Sequence, residues 1–337
     1  MDIDDRITKE ISLMLAGSGV PGASVALVID GDLWSAGIGS ASLDGSSPLP
    51  ADARFGVYSI TKTVIAAIVM RLVERGAMDL DAPIGRYVPG LPAGADVPVR
   101  RVLNHSGGFP DYGNLADYHE MVRAHPASPW TPGEFLSRTL GDGMLFAPGT
   151  GWRYSNIGYM LLRLAIERVI EGAFRDAVRH ETGLDVATSP AMMAELTPGF
   201  SGETAKNVIP RYHPGWVSHG LVIGTATELA RFIDALFGGS VVRPESLAMM
   251  LDAIPVGEAH RWMEAPSYGL GLMIDPESRF GLVAGHTGGG PGYSTAAYRF
   301  SDVNRRRVTA VALVNRDGSD LATDIVFSMA GILAGHR

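Results

Sequence analysis

The sequence predicts an α/β protein in which helices flank an antiparallel sheet built from both ends of the chain. Three observations support this prediction. β-rich runs lie near the start and again after residue 265, apolar residues between them repeat at helical spacing, and the connections between consecutive β runs are short. We expect one domain over residues 1–337, with its α/β part at about 1–60 and 265–337 and a mainly helical part at about 61–264.

The first elements are a helix over residues 4–16 and a hairpin. Residues 23–29 and 33–39 are β-rich runs, and the Asp-Gly pair between them is typical of a tight turn. The apolar stretch after residue 59 predicts a long buried helix that ends at Gly76.

Further helices are predicted over residues 157–170 and, after a Thr-x-x-Glu capping box at 225–228, over 229–237. The β pattern returns at the end of the chain. We expect strands at residues 268–275, 280–286, 293–300 and 308–314, and then a final helix over 319–334.

Composition excludes several kinds of function. The net charge of −8 argues against nucleic acid as a partner, because phosphate binding needs a basic face, and the single basic run at 305–307 reads as a hairpin turn. The chain has no cysteine, and its histidines lack the spacing of a metal site, so we expect neither a metal nor another cofactor. No apolar run is long enough for a membrane helix, and no signal peptide is recognisable, so the expected location is the cytoplasm.

The candidate chemistry begins with Ser59 and Lys62, which lie three residues apart and therefore share one helix face. A serine hydroxyl is a weak nucleophile that needs a base, and a lysine becomes a base when an apolar setting favours its neutral form. The apolar helix supplies such a setting. An N-cap serine followed by a solvated lysine is the alternative interpretation.

Two further segments carry polar groups suited to the same chemistry. Tyr154 can relay a proton if a nearby ammonium lowers its pKa, and the Asn156 amide can bind both a substrate carbonyl and the lysine. Residues 286–290 read HTGGG at the end of a predicted strand, where glycines allow a ligand to approach the backbone and supply N–H groups to an oxyanion hole. Taken singly, these segments also fit an ordinary turn and a glycine-rich hairpin.

The order and spacing of the three segments resemble one known superfamily. Ser59 and Tyr154 are 95 residues apart, and Tyr154 and His286 are 132 apart. The pattern resembles the serine β-lactamases and penicillin-binding proteins, in the branch of class C β-lactamases, D-alanyl-D-alanine carboxypeptidases, family VIII esterases and D-amino-acid peptidases. Further segments that match read FGVYSITK at 55–62, LDAPI at 80–84, LNHSGGFP at 103–110 and FAPGTGWRYSNIGY at 146–159.

This resemblance implies a β-lactamase/transpeptidase-like fold and a role for each matched position. Ser59 would be the nucleophile, Lys62 its base and Tyr154 the proton relay to the leaving group. Backbone N–H groups of Ser59 and Gly289 would form the oxyanion hole. The substrate would be held by Asn156, His286, Thr287 and Gly288.

Two positions depart from the family pattern. Class C β-lactamases generally carry lysine where this chain has His286, so we expect weaker capture of a β-lactam carboxylate at neutral pH. The segment HGLVIGT at 219–225 more often begins Gly-Gly-Leu in the family, which predicts a reshaped pocket wall. Tyr112 and Trp216 are predicted to line that pocket, with a place in the core as the alternative.

The resulting expectation is a serine hydrolase that forms an acyl-enzyme on small carboxylic esters. A D-amino-acid peptidase or DD-carboxypeptidase is the first alternative, and a class C β-lactamase is favoured less. A penicillin-binding sensor without turnover, or a scaffold, is the alternative outside enzymes. The expected partner is a small ester, amide or short peptide, without nucleic acid or membrane, and no oligomeric state is predicted.

Overall fold

A computed structural model describes residues 3–335. Its helices α1 to α11 span Ile3–Leu15, Thr61–Glu74, Val99–Leu103, Ala116–Ala124, Pro132–Leu140, Asn156–Ile170, Phe174–Thr182, Pro190–Ala194, Ala226–Phe237, Pro244–Leu251 and Leu321–Leu333. Its strands β1 to β11 span Gly22–Ile29, Asp32–Gly39, Phe55–Gly56, Asp185–Ala187, Leu221–Gly224, Ile254–Pro255, Ser267–Tyr268, Met273–Asp275, Val283–Gly290, Tyr293–Val303 and Arg306–Val314. Within this range no helix combines the length and apolar character needed to cross a bilayer.

The main sheet draws its strands from both ends of the chain, which confirms the predicted fold class. Eight antiparallel strands run in the order β2-β1-β11-β10-β9-β8-β7-β6, so the N-terminal hairpin pairs with the last strand. The edge strand β6 comes from a region expected to be helical. A second sheet of three short strands, β3-β5-β4, was not expected. Strands β4 and β5 come from the part expected to be mainly helical, and β3 directly precedes that part.

Alternating residues of the central strands bury two different faces of the sheet. Val25 packs into one cluster with Ile11 of α1 and Met329 of α11, whereas its neighbour Ala26 belongs to the other cluster, which contains α2 and α9. A strand turns successive side chains to opposite faces, so an apolar run such as β1 indicates burial on both sides. The sheet is therefore covered by α1 and α11 on one side and by the helical part on the other.

The long buried helix predicted after residue 59 is α2. Its side chains from Thr61 to Met70 are all buried, and Gly76 follows it in the left-handed conformation, with φ at +70°. The capping box of α9 is also present, since the Thr225 hydroxyl accepts from the Glu228 backbone N–H. Sequence predicts α2 and α9 because an apolar run, a terminal glycine and a capping box each lie within a few neighbouring residues.

Two strand predictions need correction. The run at 268–275 is not one strand but the hairpin of β7 and β8, in which the Gly269 N–H donates to the Leu272 carbonyl. Gly271 adopts φ +75° and packs so closely on α2 that an added Cβ would lie 2.4 Å from the Cβ of Ala66. Strand β9 begins at Val283 rather than 280 and continues through the glycines to Gly290, because pairing with β10 holds them extended.

Candidate active site

Ser59 lies in a 3₁₀ turn, Tyr58–Ile60, that leads directly into α2. Tyr58 holds φ +46°, a conformation that side chains other than glycine rarely adopt. The turn is held by burial of Tyr58 and by a 2.5 Å hydrogen bond from its hydroxyl to the Pro291 carbonyl. The strained turn therefore presents Ser59, which is half-buried, beside the hairpin of β9 and β10.

The Lys62 ammonium position is completely buried one helical turn below Ser59. Its Nζ lies 2.9 Å from Ser59 Oγ, 2.7 Å from Asn156 Oδ1 and 3.4 Å from His219 Nε2. Burial lowers the pKa of Lys62 from 10.5 to about 7, against the opposing effect of the Asp111 carboxylate. A substantial fraction of the side chain is thus neutral at pH 7 and able to accept a proton from Ser59.

Tyr154 reaches the same serine from the other side. A hydrogen bond joins its side chain to Ser59, and its ring packs on His105 with centroids 4.4 Å apart. Burial raises the pKa of Tyr154 well above its usual value, while the bond to Ser59 acts in the opposite direction. The phenol therefore stays protonated at neutral pH, so the condition named for a proton relay, a pKa lowered by the nearby ammonium, is not met in this state.

Asn156 begins helix α6, and its amide is oriented by Asp111. The backbone N–H and the Nδ2 of Asn156 donate to the two Asp111 carboxylate oxygens, at 3.0 and 3.1 Å. This leaves Oδ1 to face Lys62. The Ser155 backbone N–H donates to His105 Nδ1 at 3.1 Å, so the LNHSGGFP segment holds the Tyr154–Asn156 segment in place.

His286 is predicted to bind substrate, but its side chain is fully buried and does not reach the cleft surface. Its Nδ1 lies 2.5 Å from the Thr287 carbonyl, and its Nε2 lies 2.9 Å from the Tyr268 hydroxyl. A carbonyl only accepts, so Nδ1 carries the proton and Nε2 accepts from Tyr268. Burial and the charge of Lys62 lower the pKa of His286 to about 3, so the ring is neutral at pH 7.

Gly288 and Gly289 place strand β9 against the serine turn. A Cβ on Gly288 would lie 2.2 Å from the Val57 carbonyl oxygen and 3.2 Å from the Ser59 nitrogen, whereas a Cβ on Gly289 would meet nothing within 4 Å. The absence of a side chain at Gly288 is what allows this close approach.

The register of β9 also decides where its backbone N–H groups point. The Ser301 N–H donates to the Leu282 carbonyl, and in an antiparallel ladder hydrogen-bonded pairs alternate with non-bonded ones. Gly289, opposite Ser294, therefore falls at a non-bonded pair, and its N–H points away from β10. Strand β8 begins only at Met273, opposite Gly285, so it does not reach this N–H.

A cleft of about 1240 Å³ opens beside these glycines. It is lined by Thr287, which is half-buried, by Gly288–Pro291 and by residues of the segment 201–212.

Tyr112 and Trp216 are core residues, which corrects their prediction as pocket lining. Trp216 is completely buried and donates through Nε1 to the Pro126 carbonyl at 3.1 Å. Tyr112 is 3% exposed, and its ring packs in a tilted arrangement on the rings of Tyr118 and Phe135. Both rings stabilise the helical part behind the site.

Sequence analysis missed the contributions of Asp111, His219 and Tyr268. Asp111 directly follows the LNHSGGFP segment, and His219 begins the segment noted for its departure from the family pattern. Tyr268 lay in a predicted strand without further signal.

Among residues 3–335, no group of three or more histidine, aspartate or glutamate side chains is placed to hold a metal ion.

Comparison with known families matches residues 7–328 to the Beta-lactamase family. The chain belongs to this family. It is 25% identical to penicillin-binding protein 4* of Bacillus subtilis over 85% of this chain and 66% of that protein, and 31% identical to the esterase EstB of Burkholderia gladioli over 52% and 46%. The chain thus spans two thirds or less of the length of these relatives.

A solved structure matches over almost the whole of both chains. The D-amino acid amidase of Ochrobactrum anthropi SV3, in complex with L-phenylalanine, shares 25% identity with a TM-score of 0.80, covering 99% of this chain and 97% of that one. The β-lactamase-like fold expected from the sequence is therefore confirmed.

Proposed function

We propose that this protein is a serine hydrolase that forms an acyl-enzyme on Ser59 and cleaves small carboxylic esters. The observation that carries the proposal is the contact of 2.9 Å between Ser59 Oγ and Lys62 Nζ, in a setting where burial lowers the pKa of the lysine to about 7. A neutral amine at this position is a base for the serine hydroxyl.

In the first half-reaction, Ser59 Oγ attacks the substrate carbonyl carbon while Lys62 takes the hydroxyl proton. The N–H groups of Ser59 and Gly289 stabilise the oxyanion. When the bond to the alcohol breaks, Tyr154 donates its proton to the leaving oxygen and regains one from Lys62. Water then attacks the acyl carbon and gives a proton to Lys62 and Tyr154. The bond between Ser59 Oγ and the acyl carbon breaks, Oγ takes that proton back, and the carboxylic acid leaves.

The neutral His286 favours substrates that carry no carboxylate beside the scissile bond. A lysine at this position would offer a positive charge to a β-lactam or to the terminal carboxylate of a peptide, whereas a buried neutral imidazole does not. This supports an ester over a β-lactam or a DD-carboxypeptidase substrate. EstB, named an esterase, supports the same choice.

A D-amino acid amide is the second candidate. Such a substrate carries an amino group rather than a carboxylate, and the Asp111 carboxylate beside Asn156 offers it a negative charge. The whole-chain similarity to a D-amino acid amidase favours this candidate over the remaining alternatives.

Parallel kinetics on p-nitrophenyl butyrate, D-alanine p-nitroanilide and nitrocefin test the proposal. We expect fast ester cleavage, slower amide cleavage and little or no nitrocefin turnover. Ser59→Ala should abolish every activity, while Ser12→Ala, at an exposed serine on α1, should leave them unchanged. Nitrocefin turnover without ester cleavage would contradict the proposal.

A non-catalytic relative would behave differently in intact-mass analysis. A stable adduct on Ser59 after addition of penicillin, with no turnover of any substrate, would favour a sensor. No adduct with penicillin or a fluorophosphonate would favour a scaffold.

A further inference from the structure

His219 is a buried histidine in direct contact with the proposed base. It lies at the end of the segment before β5, it is 2% exposed, and its Nε2 is 3.4 Å from Lys62 Nζ. Its other ring nitrogen, Nδ1, is buried and has no hydrogen-bond partner among residues 3–335. The Tyr58 backbone also interacts with this ring and acts to raise its pKa. The contact of Nε2 with Lys62 is the side-chain contact that bears on the proposed base.

We propose that His219 is a positioning residue that holds the Lys62 ammonium through Nε2 once Lys62 has taken the Ser59 proton. The inference rests on the serine hydrolase proposed above and adds a residue for which the family pattern assigns no role. This role rests on a match between the hydrogen-bond donors of the Lys62 ammonium and the acceptors around its Nζ atom.

An ammonium group has three N–H donors and no acceptor. Three acceptors surround Lys62 Nζ: Ser59 Oγ, Asn156 Oδ1 and His219 Nε2. They match the three donors one to one. Without the third acceptor, one N–H of a fully buried ammonium would be unpaired, and leaving a buried charged donor unpaired is costly.

In this role the ring is neutral and carries its proton on Nδ1, which leaves the Nε2 lone pair free to accept. Burial lowers the pKa of His219 well below its usual value, and the charge of Lys62 lowers it further. A protonated imidazole would instead repel the ammonium.

The other titratable groups that face Lys62 differ from His219 in how they interact with its ammonium. From the loop before α4, the Asp111 carboxylate favours the charged form of the lysine, and His105 is neutral through burial. Tyr154 and Tyr159 present their rings at 4.8 and 5.6 Å, and His286 of β9 is neutral. Among these titratable neighbours, His219 is the one with a lone pair at hydrogen-bonding distance from Nζ.

The rate at which a fluorophosphonate labels Ser59, followed between pH 5 and 9, tests this role without any choice of substrate. In that reaction the Oγ–P bond forms, fluoride leaves and Lys62 receives the hydroxyl proton. His219→Leu removes the acceptor at similar volume, and His219→Gln keeps a polar acceptor. His180→Leu makes the same change at a histidine whose side chain is 75% exposed.

The labelling rate should rise with pH as Lys62 loses its proton, and this rise is the acid limb of the profile. In His219→Leu we expect the acid limb to lie about one unit lower, because the ammonium loses a hydrogen-bond partner. Labelling at the plateau should be about tenfold slower. His219→Gln should restore the limb toward its original position, and His180→Leu should change nothing.

Three results would overturn the proposal. An unchanged limb in His219→Leu would show that the contact has no effect on Lys62. A shift to higher pH would show that the ring donates to the neutral amine. Equal losses of rate and melting temperature in the Leu and Gln variants, with no shift of the limb, would show a structural role. If the unaltered chain is not labelled at Ser59, the proposed function fails, and this inference fails with it.

Discussion

The candidate site has a helical wall and a sheet wall, and the two differ in the chemistry they contribute. The helical wall, made of Ser59, Lys62, Asp111 and Asn156, supplies side chains whose contacts and pKa shifts depend on burial. The sheet wall, residues 286–290, supplies backbone groups and a neutral histidine. Under the proposed function, proton transfer belongs to the helical wall, whereas the oxyanion hole takes one N–H from each wall, Ser59 from the helical side and Gly289 from the sheet.

The largest effect is expected when the proposed base, Lys62, is removed from the helical wall. Lys62→Met keeps an unbranched apolar side chain in the buried position and should lower kcat/KM by about 10³-fold, because no neighbouring group replaces the amine. The free energy of unfolding should not fall, since a buried amine is lost. Lys9→Met, at an exposed lysine of α1, is the control. A loss below about tenfold would remove Lys62 from the mechanism.

A pair of glycine variants tests the sheet wall. Gly288→Ala would force a Cβ to within 2.2 Å of the Val57 carbonyl oxygen, so it should lower the free energy of unfolding by about 3 kcal/mol and displace Ser59. Gly289→Ala places its Cβ in open space and should unfold at the same denaturant concentration as the unaltered chain. Equal behaviour of the two variants in urea unfolding would contradict the proposed packing.

The pH profile sharpens the comparison between the walls. Ser59 attack needs neutral Lys62, whose pKa is about 7, so kcat/KM should rise with pH through 7 and reach a plateau above it. At pH 5 it should be about 100-fold below the plateau. His286, with a pKa of about 3, should add no step between pH 5 and 8. If the profile shows a second titration between pH 5 and 8 that a His286→Gln variant lacks, His286 is charged in that range and the sheet wall carries a positive charge.

Asp111→Asn should have the smallest effect on the acid limb. The carboxylate raises the pKa of Lys62, so its removal should move the limb to lower pH, by less than about one unit. The substituted amide still offers one oxygen to the Asn156 backbone N–H. Asp5→Asn, at an exposed position of α1, should leave the profile in place. A move to higher pH would mean that Asp111 acts through the orientation of Asn156 rather than through its charge.

Sequence predicted the elements whose signals are local. The hairpin of β1 and β2 follows from an Asp-Gly turn between apolar runs, and the end of α2 from Gly76. The run at 268–275 has the composition of one strand, but it turns at Gly271, which has φ +75° and packs on Ala66. Trp216 was misread for a similar reason, since an aromatic side chain in a core and one in a pocket look the same in sequence.

The local spacing of Ser59 and Lys62 was enough to place a hydroxyl beside an amine, because one turn of helix brings residues three apart onto one face. Their chemistry was not decided by that spacing. Burial brings the pKa of Lys62 to about 7 and neutralises His286, and contacts across 94 and 157 residues bring Asn156 and His219 to the same amine. A pKa reflects every group packed around a side chain, so it became defined only when the chain folded and those groups met.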